Sequence, residues 1–182
     1  MIADIVIVIA AALFIGVYVS WRAGRIDRLH VRVDMARAAL DVTLLRRSSV
    51  ALELATSGLL DPATSLLLAS AVHGTKDITS RPRDLAESDL TRALRAAFSQ
   101  PDFRASINGK EGADELLAEV EAAAHRVFLA RKFYNDVVAA TREARQRPLA
   151  RVLRLSGRAR APEFFEMDDS LVAENTGAPL GL

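Results

Sequence analysis

Apolar residues follow two regimes along this chain. From Ile5 to Trp21 the sequence reads IVIVIAAALFIGVYVSW, seventeen positions with no charge and with apolar residues on every helical face. Beyond Trp21 the period becomes helical. Ile26, Leu29, Val33, Ala36, Leu40, Thr43, Arg47, Val50 and Leu54 alternate three and four apart, the seam spacing of packed helices. The spacing predicts one long helix from the apolar run to about Ser57, with Gly58 as its C-cap. Asp61-Pro62 is an N-cap acid followed by proline at the first helical position, and predicts a second helix to about Val72, ending near Gly74. Residues 75–81 read as a loop. Pro82 opens a third helix carrying Leu85, Leu90, Leu94, Ala97 and Phe98, and Pro101 closes it. After a loop with Asn108-Gly109 as its turn, a fourth helix is predicted from near Glu111 to about Gln146. Leu116, Val120, Ala123, Val127, Ala130, Tyr134, Val137 and Thr141 form its inward stripe. Pro148 stops it, and a short amphipathic piece with Leu149, Val152, Leu153 and Leu155 follows, up to Gly157. No β-branched alternation survives anywhere, and no internal repeat is present.

The first regime predicts a membrane span. Ile5–Trp21 covers roughly 25 Å at about 1.5 Å per helical residue, against a hydrocarbon core of about 30 Å. Trp21 and Tyr18 suit the headgroup interface, and Arg22 can snorkel its charge outward. A cleaved signal peptide fits less well: no basic residue precedes the run, and SWRAGR is not a small-x-small cleavage site. Arg22, Arg25, Arg28 and Arg32 follow the span, so the positive-inside rule places its C-terminal side in the cytoplasm and its N-terminal side outside. The expected organisation is an anchor over 1–21, a cytoplasmic helical body over 22–160 and a loose acidic tail over 161–182. The fold class is all-α: a single span continuing into a long antiparallel four-helix bundle. The absence of cysteine agrees with a reducing compartment.

Short connections make sequential helices antiparallel, so the end of the fourth helix is expected back near the membrane side of the first. Net charge is only +1 and selects no partner by itself. Its distribution does. Arg142, Arg145, Arg147, Arg151, Arg154, Arg158 and Arg160 stand against one acid, Glu143, whereas residues 163–174 hold five acids and no base. The antiparallel order places this arginine cluster near Trp21, Arg22, Arg25 and Arg28. There it can face anionic lipid, a protein partner or solvent; an anionic leaflet attracts each such group by about 1 kcal/mol. Nucleic acid is not expected, because no helix-turn-helix pattern accompanies a charge near zero.

Catalytic chemistry is sparse. His30, His73 and His125 share no metal-ligand spacing, so no metal or cofactor is expected. Neither a nucleophile elbow nor a phosphate-binding glycine loop occurs. Nothing marks a base beside Ser48-Ser49, and Asp168-Asp169 falls in the segment read as a loose tail. Arg47, Arg131, Tyr134 and Asn135 form the candidate polar core of the long helices, with Glu121 or Asp41 as the carboxylate a buried arginine needs. That core is read as a register device, and alternatively as a small-ligand site. No enzyme activity and no small-molecule substrate are expected.

Several segments resemble one family. Asp34–Leu54 (DMARAALDVTLLRRSSVALEL) is similar to the acidic-apolar-basic run on the long first helix of the LemA family. Gln100-Pro101-Asp102-Phe103-Arg104-Ala105 looks like that family's tyrosine-proline-aspartate-leucine-lysine-alanine stretch. Arg126-Val127, Ala130-Arg131 and Phe133-Tyr134-Asn135-Asp136 resemble its arginine and tyrosine-asparagine motif, and Pro148-Leu149-Ala150, Gly157 and Phe164-Phe165-Glu166 its closing segment. The likeness covers most of residues 25–167. Val50-Ala51-Leu52-Glu53 departs from the family's isoleucine-proline-asparagine-leucine, which marks a divergent member. The resemblance implies an anchored cytoplasmic bundle and no reaction. The expected role is a membrane-tethered scaffold or adaptor working through a protein partner or as a homo-oligomer. The alternatives are an accessory subunit of a respiratory or transport complex, and a ligand sensor or enzyme using Arg47 and Tyr134.

Overall fold

A computed structural model describes residues 2–77, 82–100, 103, 107, 109–146 and 160–170, with the side chains of 2, 11, 15, 19, 22, 23 and 25–27 excepted. Among these residues the chain is all-helical, with no strand. The principal elements are α1 (Ile2–Thr56), α2 (Pro62–Lys76), α3 (Arg83–Phe98) and α4 (Ala113–Gln146). At 55 residues, α1 continues the apolar run into the seam without a break. Gly58 follows it with φ 75°, the left-handed geometry glycine adopts at low cost. Asp61 caps α2 as predicted: its Oδ1 accepts from the backbone N–H of Ala63 at 3.0 Å and of Thr64 at 3.1 Å. Helix α2 runs through Gly74 to Lys76 rather than stopping near Gly74. Glycine costs a helix interior only about 1 kcal/mol, and burial of Val72 and Thr75 on either side of it outweighs that. Residues 78–81, the apolar piece at 149–155 and residues 171–182 lie outside the described residues.

The chain divides into two compact units. The first comprises residues 1–37 and 133–164, the second 38–132 and 165–182. In the second unit Val50, Ala51 and Leu54 of α1, Leu68 and Val72 of α2, Leu90 and Leu94 of α3 and Val120 and Ala124 of α4 share one apolar core. Helix α2 packs on α3. Of the apolar residues predicted on the third helix, Leu90, Leu94 and Ala97 are buried, whereas Leu85 is 52% exposed. Its place on the buried face is taken by Glu87 and Thr91.

In the first unit the start of α1 is uncovered. Ile7, Leu13, Phe14 and Val17 are 66–76% exposed among the described residues. Among the described residues no helix is long and apolar enough to cross a membrane; the described set omits the side chains of Ala11, Ile15 and Val19, which lie inside the apolar run. Further along, Val33 and Ala36 of α1 and Tyr134, Val138 and Thr141 of α4 are buried. Arg145 of α4 meets His30 of α1, Nη1 to Nε2 at 3.1 Å, so the C-terminal end of α4 returns to α1 between Arg28 and Arg32.

Candidate functional site

Arg47, Arg131 and Tyr134, expected in one polar core, have separate partners in the structure. Arg47 lies in the second unit, 3% exposed, on the buried seam of α1. Its carboxylate is neither Glu121, which is exposed, nor Asp41, which binds Arg83 at 2.8 Å. It is Glu87 of α3, 2% exposed, with Oε2 at 2.6 Å from Arg47 Nη2. The same nitrogen donates to the Glu87 carbonyl at 3.1 Å, and Nη1 donates to Thr91 Oγ1 at 2.9 Å. Arg47 Nε is buried with no hydrogen-bond partner. Burial lowers the Arg47 pKa despite the charge of Glu87 beside it, and burial raises that of Glu87 despite Arg47. Both directions point the same way: desolvation of the two ions exceeds what their attraction returns. Glu87 was legible in principle, since it stands three residues before Leu90 and seven before Leu94 on the same helical stripe.

Tyr134 and Asn135 belong to the first unit; Arg131 belongs to the second with Arg47, but its carboxylate partner is Asp169, not Glu87. Tyr134 is 2% exposed, and its hydroxyl donates to the Glu163 carbonyl at 2.8 Å. Arg142 Nε donates to the Pro162 carbonyl at 2.7 Å while its guanidinium stacks on Phe164, 4.5 Å from the ring centroid. Arg145 Nη1 donates to the Arg160 carbonyl at 3.1 Å. In the second unit Arg131 pairs with Asp169, the Asp168 N–H donates to Ser88 Oγ at 3.0 Å, and Met167 is buried. Residues 160–170 are therefore held along α4 and α3, not loose as expected from residue 161 onward. The reason is that Tyr134, Arg131, Arg142 and Arg145 donate to carbonyl and carboxylate oxygens of this segment. Burial would raise the Asp168 pKa, but the N–H and hydroxyl of Ser170 and the charges of Arg95 and Arg92 leave it lowered.

This changes the reading of the arginine cluster. Arg142 and Arg145 serve the chain's own carbonyls, and Arg160 is exposed. Arg147, Arg151, Arg154 and Arg158 lie outside the described residues, as do the side chains of Arg22 and Arg25, while Arg28 and Trp21 are exposed.

Among the described residues, grooves open on the second unit. One, of about 550 Å³, lies between α2 and α3 and includes His73, Asp77, Asp89 and Arg92. Another, of about 450 Å³, is walled by Leu45 and Leu52 and includes Ser48, Thr75, Lys76, Arg83 and Glu87. In the latter, Ser48 Oγ lies 3.2 Å from Thr75 Oγ1, and Thr75 donates its own proton to the Val72 carbonyl at 2.8 Å. Among the described residues no histidine lines that groove, and Ser49 donates to the Leu45 carbonyl at 3.0 Å. His125 stacks on Phe128 at 6.2 Å. Among the described residues no group of three histidines or carboxylates is placed to hold a metal ion. Compared with the known protein families, with curated proteins and with solved structures, the chain finds no match in any of the three.

Proposed function

We propose that this protein is a non-catalytic scaffold or adaptor, tethered to a membrane through Ile5–Trp21 and presenting its helical body to the cytoplasm. The observation that carries this reading is the uncharged run of α1, whose large side chains stand exposed among the described residues. Nine of them, Ile5, Val6, Ile7, Val8, Ile9, Leu13, Phe14, Val17 and Trp21, are each more than half exposed. Moving such a side chain from water to an apolar medium is worth roughly 1.5–3 kcal/mol, on the order of 15–25 kcal/mol for the set. A contiguous apolar surface of that size marks a membrane or partner interface. Its charge-free length and its circumferential apolarity favour lipid, and the arginines that follow set its direction. The resemblance of residues 25–167 to the LemA family adds the expectation of the same anchored arrangement and of no reaction.

Sodium carbonate washing of membranes from expressing cells tests the anchor. The full chain stays in the pellet if the run spans the bilayer, whereas release into the supernatant refutes it. Protease added outside intact cells leaves the helical body undigested if the arginine side is cytoplasmic; digestion of the body reverses the orientation.

A further inference from the structure

Helix α1 carries a second apolar stripe that is exposed among the described residues and whose Leu45 and Leu52 edge the groove at Glu87. Within the second unit, Leu40, Leu44, Arg47, Ala51 and Leu54 face the core. On the opposite side, about 180° around the helix at about 100° per residue, Ala38, Val42, Leu45, Ser49 and Leu52 follow one another at alternating steps of four and three. All five are exposed, Val42 by 66%, Leu45 by 59% and Leu52 by 36%. A face of this spacing is self-complementary: it is the seam by which one helix packs on a copy of itself.

We propose that this stripe is the contact between two copies of the chain, paired in parallel and in register along α1. The proposal rests on the membrane-anchored reading, because two chains entering the bilayer in the same direction present their α1 helices parallel. In heptad terms Ala38, Leu45 and Leu52 occupy d and Val42 and Ser49 occupy a. A β-branched residue at a with leucine at d is the combination that favours two strands. The flanking charges agree. In register, Asp41 at g of one copy stands opposite Arg46 at e of the other, and the symmetry repeats the pair. The neighbouring combinations, Asp34 with Ala39 and Ser48 with Glu53, set no like charges against each other. Asp41 and Arg46 are 38% and 53% exposed on their side chains. Each is already held in place, Asp41 by Arg83 and Arg46 by Glu119, so pairing between copies extends two existing ion pairs along the seam. Two heptads associate weakly in free solution; confinement to one membrane raises the effective concentration that makes so short a seam sufficient.

The chain has no cysteine, so single introduced thiols report contact without background. Full-length Val42→Cys, Leu45→Cys and Leu52→Cys, in native membranes under mild oxidation, are compared with Leu66→Cys and Leu129→Cys, whose wild-type side chains are 73% and 50% exposed away from the stripe. The expected result is a disulfide-linked dimer several-fold more abundant at 42, 45 and 52 than at 66 and 129. Equal linking at all five positions, stronger linking at the two off-stripe positions, or adducts with a different protein in place of the dimer would overturn the proposal. Carbonate washing of the same membranes separates the two readings. Protein that stays in the pellet but does not link along the stripe refutes the pairing and leaves the anchor standing. Protein released by the wash refutes the anchor, and its linking pattern still decides the interface.

Discussion

Removing the two halves of the buried Arg47–Glu87 pair is expected to have unequal, differently pH-dependent consequences. Arg47→Met leaves a carboxyl group 2% exposed without the guanidinium bonded to it, only the charge of Arg83 still acting on it. That group has an escape, since it can take up a proton. The cost of its burial therefore cannot exceed the cost of protonating it from its ordinary value of 4.5. At about 1.36 kcal/mol per pH unit, the ceiling is about 3.4 kcal/mol at pH 7 and about 0.7 kcal/mol at pH 5. The sign follows from the direction of the shift. A carboxyl whose folded pKa is raised contributes stability in full below 4.5 and loses it as pH rises through the folded value. Glu87→Leu strands a guanidinium, which has no such escape because arginine stays charged. Its cost is expected at about 3–5 kcal/mol, the same at pH 5 and pH 7. The double variant Arg47→Met/Glu87→Leu removes both desolvation penalties and is expected to be neutral, or more stable than the wild type by about 1–4 kcal/mol. The assay is urea denaturation of the full chain in detergent micelles, followed by circular dichroism at both pH values and read as a double-mutant cycle. The reasoning is refuted if the cost of Arg47→Met is equal at the two pH values, or if the double variant is less stable than either single one.

Other predictions concern the held segment and a helix cap. Tyr134→Phe removes the hydroxyl that binds the Glu163 carbonyl and is expected to cost about 1–3 kcal/mol. It also increases proteolytic cleavage near residue 163; an unchanged cleavage rate contradicts the tether. Tyr134→Asp buries a charge at a site 2% exposed and is expected to unfold the first unit, visible as lost helicity. Arg142→Ala, which loses both the Pro162 carbonyl and the Phe164 ring, is expected to raise amide exchange across residues 160–164 while leaving α2 and α3 as protected as before. The Asp61 pKa is lowered by the Thr64 hydroxyl and then by the Thr64 N–H. The stability its carboxylate contributes is thus present above its ordinary 3.8 and lost as pH falls through the lowered folded value. Asp61→Asn is expected to flatten that acid limb of the melting curve, and an identical limb in the variant rules out Asp61 as its source.

The helices of this protein were legible residue by residue because their causes are local. Asp61-Pro62 starts α2, Gly58 ends the region of α1, and the three-four spacing of Val33, Ala36, Leu40, Val50 and Leu54 marks the buried side. Hydrogen bonding within one turn and burial of one stripe depend only on near neighbours in sequence. What the spacing could not select was among equals. It placed Arg47 inward and required an acid, but Asp41, Glu87 and Glu121 all fulfilled that requirement until packing put α3 against α1 and Arg83 took Asp41. Leu85 points outward for the same reason: α3's inward face is fixed by which helices it meets. Residues 160–170 carry no period at all, so nothing local could have shown that Tyr134, Arg142 and Arg145 hold their carbonyls. Local spacing determined the helices and their apolar sides; only the tertiary structure decided which charges were paired and which of the two stripes on α1 was left open, because those depend on residues brought together from distant parts of the chain.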